Sequence, residues 1–407
     1  MKTILVSGTL VATAICRILT KKGFDVFPCK ILSSTKDVYR TVEGKNIGRF
    51  QMIQSLACNK ISSVSMNPLL IYRGDSNDTL YYRGNKVESS SLNFNDIFIK
   101  EIKNLDNKYA YCVIEACENA SLDTLTAKLT DASIILANDL NIDVLSIDYD
   151  FHENFIETSK FVTKNPNGTI DIAILFTPYM TSLMDVAPLS IEEDVSLRII
   201  REERDFGNPD LLIIPGSSNT CKDMVYVRNS NLDNTVREYS KHGLILGICG
   251  GYQLLGQRLI DPFGVESEIK EQSAIGLLNV DTIFEKTNVY NRVSGKIIPL
   301  NIKIEGCENH FGMSYNNDVN KDFIHLSIEN QNEISKNEGA YNNSFNIFGT
   351  YLHRCFELPY FREYILNRIR EKKSLKKGIS KDYKEYLINE VDKITKRLQL
   401  NLDLSFI

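Results

Sequence analysis

The 407-residue sequence contains no tryptophan, few histidines and no Cys-x-x-Cys pair. Its nine cysteines are scattered, which fits a reducing compartment and argues against a disulfide framework or a zinc site. We therefore expect a cytoplasmic protein without a metal site. The missing tryptophan decides nothing about function.

Long apolar runs and a large charge excess are also missing. No apolar run approaches the roughly 18 residues needed to cross a bilayer, so no membrane-spanning helix is expected. The formal net charge is -5, from 47 basic and 52 acidic side chains, which argues against a general nucleic-acid binder. With 43% hydrophobic and 24% charged residues, the chain has the composition of a globular protein with material for more than one core.

Strands alternating with helices are indicated in both halves of the sequence. Compact apolar runs predict strands at Thr3–Ser7, Asp25–Cys29, Tyr111–Ile114, Ala132–Leu136, Ile170–Phe176, Leu211–Ile214, Leu244–Ile248 and Asn346–Thr350. Helical spacing predicts helices at Leu10–Lys22 and Leu122–Leu129, and a basic helical stretch from Phe361 to about Lys396. Such alternation implies crossover connections. We expect an α/β protein with two doubly wound, mostly parallel sheets plus C-terminal helices.

The length predicts two domains and an appendage. The turn signal Asn165-Pro166-Asn167-Gly168 marks a boundary between the two α/β series. We expect a first domain at residues 1–165, a second at 166–360 and a C-terminal helical appendage at 361–407.

One cysteine stands between glycines where a buried strand meets a helix. Leu244–Ile248 runs into Cys249, which Gly250 and Gly251 follow. Small neighbours permit the strained turn of a nucleophile elbow, which exposes its side chain at the carboxyl edge of a sheet. A helix dipole favours a thiolate there, and backbone N–H groups stabilise an oxyanion. We interpret Cys249 as a nucleophile and the other cysteines as structural thiols.

A cysteine nucleophile needs a base, and the chain has five histidines. His353 follows a predicted late strand, so a doubly wound fold brings it to the same sheet edge as Cys249. Glu357 is a candidate third member that orients the ring. His310 is the second choice; it lines the pocket or makes a loop hydrogen bond. We interpret the others as surface or core residues: His152, His242 and His325.

Residues 170–360 resemble the class I glutamine amidotransferase domain that is fused to cobyric acid synthase. Four segments carry the resemblance in the family's order: Asp194–Arg198, Leu212–Thr220, Gly247–Gly256 and Gly349–Glu357. It implies that Cys249 attacks the glutamine amide, that His353 is the general base, and that ammonia leaves before a glutamyl thioester is hydrolysed. It also implies that a few residues supply the oxyanion hole and glutamine contacts: Gly216, Ser217, Ser218 and Gly250.

The first half also resembles the cobyric acid synthase family. The matching pieces are Ala14–Leu19, Gly23–Lys30, Glu43–Gln54 and Met66–Leu70, with a closing match at Val391–Ile407. In that family the first domain is a dethiobiotin-synthetase-like P-loop domain, which uses ATP and Mg²⁺ to activate carboxylates of a cobyrinic acid diamide as acyl phosphates. The resemblance therefore implies a corrinoid substrate, glutamine as ammonia donor, and ATP with Mg²⁺.

The nucleotide region departs from this family pattern. A phosphate-binding loop needs several glycine-rich residues, a lysine and a Ser or Thr at the helix start. Here Gly8 and Thr9 lead directly into a helix, and Asn138–Asn141 replaces the family's acidic glycine-rich loop. Lys30 and Glu115 remain, but one lysine does not replace a loop of backbone donors. These residues do not predict efficient ATP-dependent activation.

Three functions remain open at this point. The first is a glutamine-dependent amidotransferase of corrinoid biosynthesis. The second is a pseudo-synthetase that binds a corrinoid or a partner without ATP-dependent ligation. The third is a glutaminase that supplies ammonia to a separate ligase. The sequence indicates no nucleic-acid or membrane partner and does not determine the oligomeric state.

Overall fold

The computed structural model describes residues 1–399 apart from 36, 74–77, 89–92, 106–108, 118, 136–164, 166–167, 182 and 319. Its contacts separate two compact units, Met1–Ile156 with Lys384–Ile407, and Glu157–Tyr383. The domain limits at 165/166 and 360/361 stay predictions, since the first adjoins residues outside the described part. The segment Asn138–Asn141 and His152 also lie outside it.

A parallel sheet forms the core of the first unit. Its elements in chain order are β1 (Lys2–Val6), α1 (Thr9–Lys21), β2 (Val26–Cys29), β3 (Leu32–Thr35), β4 (Val38–Arg40), β5 (Asn46–Gly48), α2 (Arg49–Ala57), β6 (Leu69–Arg73), β7 (Asp78–Tyr82), β8 (Asn85–Val87), α3 (Phe94–Lys103), β9 (Tyr111–Glu115), α4 (Ala120–Thr130) and β10 (Ser133–Ile135). The strand order is β10–β1–β9–β2, and every pairing is parallel. β3, β6, β7 and β8 form a second sheet.

A larger parallel sheet forms the core of the second unit. The elements here are β11 (Ile170–Leu175), β12 (Val195–Ile200), β13 (Leu211–Ile214), α5 (Thr220–Asn229), α6 (Leu232–Ser240), β14 (Leu244–Ile248), α7 (Gly250–Leu255), β15 (Arg258–Ile260), β16 (Glu271–Ser273), β17 (Val280–Ile297), β18 (Ile302–Asn316), β19 (Ile324–Glu329), β20 (Asn332–Glu338), β21 (Ala340–Tyr341), β22 (Ile347–Thr350) and α8 (Pro359–Lys372). The order is β12–β11–β13–β14–β22–β21, and only β21 is antiparallel. β13 and β14 are wholly buried, as expected for central parallel strands.

A second sheet in this unit is largely antiparallel and was not predicted from the sequence. Its order is β16–β15–β17–β19–β20, with β18 also paired to β17. β17 and β18 are long strands of 18 and 15 residues whose buried positions are interrupted by exposed polar ones. Such one-sided strands lack the continuous apolar runs that identify the central strands.

The predicted fold class is confirmed: two α/β sheets rich in parallel pairing, with helices at the C-terminal end. The basic stretch from Phe361 forms two helices, because the chain leaves helical geometry at Ser374, where φ is 56°. The second helix, α9 (Tyr383–Gln399), belongs almost wholly to the first unit, where Asp392 pairs with Arg17 of α1 at 2.7 Å. None of the helices among the described residues has the length and apolar character to cross a membrane.

Candidate active site

Cys249 lies at a sharp bend between β14 and α7. Its φ of 52° and ψ of -108° are rare for a residue with a side chain, and such backbone strain costs roughly 1–3 kcal/mol. The Cys249 N–H donates to the Thr350 carbonyl at 2.8 Å, and its own carbonyl accepts from the Gln253 N–H at 3.1 Å. The neighbouring strand and the first helical turn thus hold the bend, as a nucleophile elbow requires.

His353 reaches Cys249 because their strands are neighbours. β14 and β22 run in parallel with Ile248 opposite Thr350, so the residues that follow both strands meet at one edge. The His353 ring and the Cys249 side chain are close enough that the charge of Cys249 and hydrogen bonding to it act on the pKa of the ring. In the hydrogen bonds described, the thiol donates to the Asn309 carbonyl at 3.3 Å.

The carboxylate that orients His353 is Asp185. Its Oδ2 lies 2.8 Å from Nδ1 of the ring, and its Oδ1 accepts from the Arg354 N–H at 2.7 Å. Asp185 is buried in a short 3₁₀ turn, Leu183–Asp185. Because Nδ1 is engaged by Asp185, Nε2 is the ring nitrogen available to the thiol.

The predicted third member, Glu357, is not the residue at the ring. Its carboxylate lies 3.6 Å from the Arg354 guanidinium, one turn along the same segment. Sequence reasoning favoured Glu357 because it is four residues from His353, whereas Asp185 is 168 residues away. Asp185 lies nine residues before the family-match segment Asp194–Arg198, and nothing in its local sequence points to His353.

The surroundings of His353 favour its charged form. Burial by itself disfavours the imidazolium, but the charges of Asp185 and Cys249 and the hydrogen bonds to both raise the pKa of His353 well above its ordinary value. The ring is therefore set up to keep a proton taken from the thiol, which stabilises a thiolate beside it.

The loop Gly216–Ser218 lies against both members of this pair. A Cβ on Gly216 would stand 2.7 Å from Cε1 of His353, and one on Gly250 would stand 2.6 Å from the Ser217 nitrogen. Only glycine permits such an approach of backbone to ring and of backbone to backbone. The structure thus brings Gly216, Ser217 and Gly250 to the Cys249–His353 pair.

Buried hydrogen bonds fix this loop. The Ser217 hydroxyl donates to Asp223 at 2.5 Å, and Asp223 also accepts from Thr177 at 2.7 Å. Burial raises the pKa of Asp223, although its hydrogen bonds oppose the rise. The Ser218 N–H donates to the Tyr179 carbonyl at 2.8 Å. Since the Ser217 hydroxyl and the Ser218 N–H are engaged, the backbone N–H groups of Gly216 and Ser217 are the donors this loop can offer to an oxyanion.

His310 packs against Tyr351 and is not hydrogen-bonded to Cys249 in the contacts described. Its ring stacks on Tyr351 at 3.6 Å, and its Nδ1 lies 2.6 Å from the Gly312 carbonyl. The Tyr351 hydroxyl accepts from Gln253 at 3.2 Å. Two further histidines bond to asparagines away from the pair, His242 to Asn208 and His325 to Asn337.

The predicted nucleotide residues of the first unit also come together. Thr9 donates to Oε1 of Glu115 at 2.6 Å, and Lys30 contacts the same oxygen at 2.6 Å. Gly8, with φ of 97°, connects β1 to α1. No group of three or more His, Cys, Asp or Glu side chains able to hold a metal ion occurs among the described residues.

The residues present do not fit the phosphates and Mg²⁺ that the family implies. Between β1 and α1 stand only Ser7 and Gly8, too few to form a cradle of backbone donors. The Thr9 hydroxyl and the Lys30 ammonium, two groups of this region that could meet a metal ion or a phosphate, are both bound to Glu115.

An elbow cysteine, a histidine and a buried carboxylate at the edge of a parallel sheet are the parts that cysteine-dependent acyl transfer requires. Residues 171–361 match the family model described as "CobB/CobQ-like glutamine amidotransferase domain".

Full-length relatives identify the family. A protein of Clostridium acetobutylicum named cobyric acid synthase is 30% identical over 485 residues, covering 100% of this chain and 98% of its own. One of Clostridium tetani with the same name is 31% identical over 472 residues, covering 99% and 96%. The solved structure of PurLQS from Thermotoga maritima is 15% identical and covers 55% of this chain and 98% of its own, with a TM-score of 0.36, too low to carry an argument. The chain belongs to the cobyric acid synthase family.

Proposed function

We propose that the second unit hydrolyses glutamine with Cys249 as nucleophile, His353 as base and Asp185 as the residue that orients His353. One observation carries the proposal. The His353 ring is hydrogen-bonded to Asp185 through Nδ1 at 2.8 Å and stands beside a thiol at a strained elbow, whose charge and hydrogen bonding raise the pKa of the ring. This is the relay from orienting carboxylate to base to nucleophile that covalent acyl transfer requires.

The chemistry follows from these positions. The Cys249 proton passes to Nε2 of His353, and the thiolate attacks the side-chain amide carbon of glutamine. His353 returns the proton to the departing nitrogen, which leaves as ammonia and gives a glutamyl thioester. His353 then accepts a proton from water, the hydroxide attacks the thioester, and glutamate leaves as the thiolate is reprotonated.

The negative charge on the tetrahedral oxygen needs donors close to Cys249. We assign this role to the backbone N–H groups of Gly250, Gly216 and Ser217. The close approach of Gly250 to Ser217 supports the assignment, since it brings both backbones to one point. Removing one such donor typically costs roughly 10²- to 10³-fold in kcat.

We propose that the ammonia goes to carboxylates of a corrinoid in cobalamin biosynthesis, adenosylcobyrinic acid a,c-diamide, and that these carboxylates must be activated before ammonia can displace their oxygen. Membership of the cobyric acid synthase family over the full length supports this. The family implies ATP and Mg²⁺ for activating those carboxylates, and the turn after β1 does not fit them.

That misfit favours one alternative in particular. A chain that releases ammonia but lacks a phosphate site would be a glutaminase serving a separate ligase. The engagement of Thr9 and Lys30 by Glu115 supports this alternative. A pseudo-synthetase that only binds a corrinoid or a partner would not need the Cys249–His353–Asp185 arrangement.

The first test is glutamate release from glutamine by Cys249→Ala. We expect the rate to fall by roughly 10³-fold or more, because no other group takes over covalent attack. Cys221→Ala is the matched control: burial raises the pKa of Cys221 to about 12, so it stays an unreactive thiol in the same unit. Wild-type rates in Cys249→Ala would reject the nucleophile.

A further inference from the structure

The carboxyl ends of three neighbouring parallel strands meet in the first unit. Val6 of β1 lies opposite Glu115 of β9, and Cys29 of β2 lies opposite Ile114. Thr9 and Lys30 follow β1 and β2 within three residues. This edge is where open α/β sheets bind their ligands.

Four donors converge there on the carboxylate of Glu115. Oε1 accepts from Thr9 at 2.6 Å and from Lys30 at 2.6 Å. Oε2 accepts from Gln54 at 2.6 Å and from Gln51 at 3.2 Å. Glu115 is only 2% exposed, and both glutamines, which lie on α2, are buried.

A carboxylate offers about four lone-pair positions, so four donors complete its bonding. The donor set includes one cation, one hydroxyl and two amide groups, a set suited to a bound oxyanion. In this chain the anion is Glu115 itself.

The short turn between β1 and α1 offers few backbone donors to a second anion. The Ser7 N–H donates to the Ile135 carbonyl at 2.9 Å, and the Ala12 N–H donates to the Gly8 carbonyl at 3.0 Å. The helix therefore begins directly behind the strand, without a loop of free backbone donors.

We infer that Glu115 is an internal ligand of this edge: it occupies the place of an exogenous oxyanion, so the first unit does not hold the phosphates of ATP. The inference stands on contacts of the first unit alone and is independent of the chemistry at Cys249.

The direct test is titration of the full-length chain with MgATP. Binding is measured by isothermal titration calorimetry and, independently, by equilibrium dialysis with labelled nucleotide. We expect no saturable binding up to millimolar nucleotide. Saturable binding that Lys30→Ala abolishes would overturn the inference, because Lys30 would then be available to phosphate.

Removal of the internal carboxylate gives the second test. In Glu115→Ala the four donors lose their acceptor, which lowers the melting temperature by several degrees. Acetate or inorganic phosphate should restore part of that loss in a concentration-dependent manner, because a ligand that binds the folded state alone raises its stability. The wild-type chain should not respond, since its site is filled.

Glu101→Ala is the matched control. Glu101 is also a buried carboxylate of the first unit, but its partner Arg83, at 2.7 Å, has a side chain that is 42% exposed. Water can solvate that arginine when the carboxylate is lost, so acetate should rescue little. Equal rescue of both variants would contradict a specific anion position at Glu115.

The outcomes separate this inference from the proposed glutaminase. Glutamine hydrolysis is measured in the same samples with and without MgATP, and its rate should not depend on the nucleotide. Should Glu115→Ala fail to fold, the titration of the wild-type chain with MgATP still decides the inference. If the glutaminase proposal were rejected, the result on MgATP binding would still decide this inference.

Discussion

The pairing of Asp185 with His353 decides the charge state of the candidate base. Asp185 raises the pKa of His353 against the opposing effect of burial. An asparagine at 185 keeps the shape but removes the charge, and it presents an N–H or a weaker acceptor to Nδ1.

We therefore expect Asp185→Asn to lower kcat/KM for glutamine hydrolysis by roughly 10²- to 10⁴-fold. The pKa of His353 should fall, so the alkaline limb of the pH profile, where the imidazolium is lost, should move to lower pH. The measurement is kcat/KM against pH. Glu357→Gln is the contrast and should retain most activity; the reverse ranking of the two variants would restore Glu357 as third member.

A second residue-scale effect concerns stability and lies at Glu338. Burial raises the pKa of this carboxyl to about 8, against hydrogen bonds from Thr350 and Tyr351 that lower it. The folded chain thus keeps the proton over a range in which the unfolded chain, with an ordinary value of 4.5, has lost it. Its contribution to the free energy of unfolding is present below pH 4.5 and is lost as the pH rises to about 8.

Glu338→Gln should remove this pH dependence, because a carboxamide does not titrate. We expect the urea concentration at the wild-type unfolding midpoint to decrease as the pH is raised from about 5 to about 8. The corresponding loss in the free energy of unfolding is on the order of a few kcal/mol. The variant's midpoint should fall less. Glu333→Gln, at an exposed position of the same strand, serves as control and should follow the wild type.

At the scale of elements, the site depends on how closely α7 and the Gly216–Ser218 loop approach each other. A Cβ on Gly250 would meet the Ser217 backbone, which cannot move without loosening the hydrogen bond from the Ser217 hydroxyl to Asp223.

Gly250→Ala should therefore reduce glutamine hydrolysis by roughly 10²-fold or more through displaced oxyanion donors. Unfolding and kinetics are measured together. The control is Gly23→Ala, where φ is 87° and no atom lies within 4 Å of an added Cβ. That change should cost about 1 kcal/mol of stability and leave hydrolysis intact. Normal hydrolysis in Gly250→Ala would argue against the assigned oxyanion donors.

The helices and strands also show which elements of a fold can be predicted from the sequence. The strand–bend–helix units around Gly8 and Cys249 were located almost to the residue, because continuous apolar runs followed by glycine are local signals. The long pair β17–β18 was missed, since one-sided antiparallel strands with polar interruptions give weak alternation.

For the whole molecule, glutamine hydrolysis and use of the ammonia are separate steps. Cys249→Ala removes only the first, so ammonium salts should restore any amidation that the wild-type chain carries out with glutamine. The assay contains a cobyrinic acid diamide with and without MgATP, and the product is analysed by mass, with a competent family member alongside.

Three results of this assay are informative. Amidation from ammonium by Cys249→Ala supports the amidotransferase. Glutamate release without amidation by the wild type supports the glutaminase that serves a separate ligase. Neither activity in the wild type would reject both and favour the pseudo-synthetase.

The sequence by itself determined the family, the parallel-rich α/β class and the pair of side chains at the elbow, because each depends on short motifs and local apolar runs. Only the tertiary structure decided the partners. Asp185 reaches His353 across 168 residues, and Thr9 reaches Glu115 across 106. Such pairings form only when folding brings distant segments to one sheet edge, so they cannot be predicted from the spacing of residues along the chain.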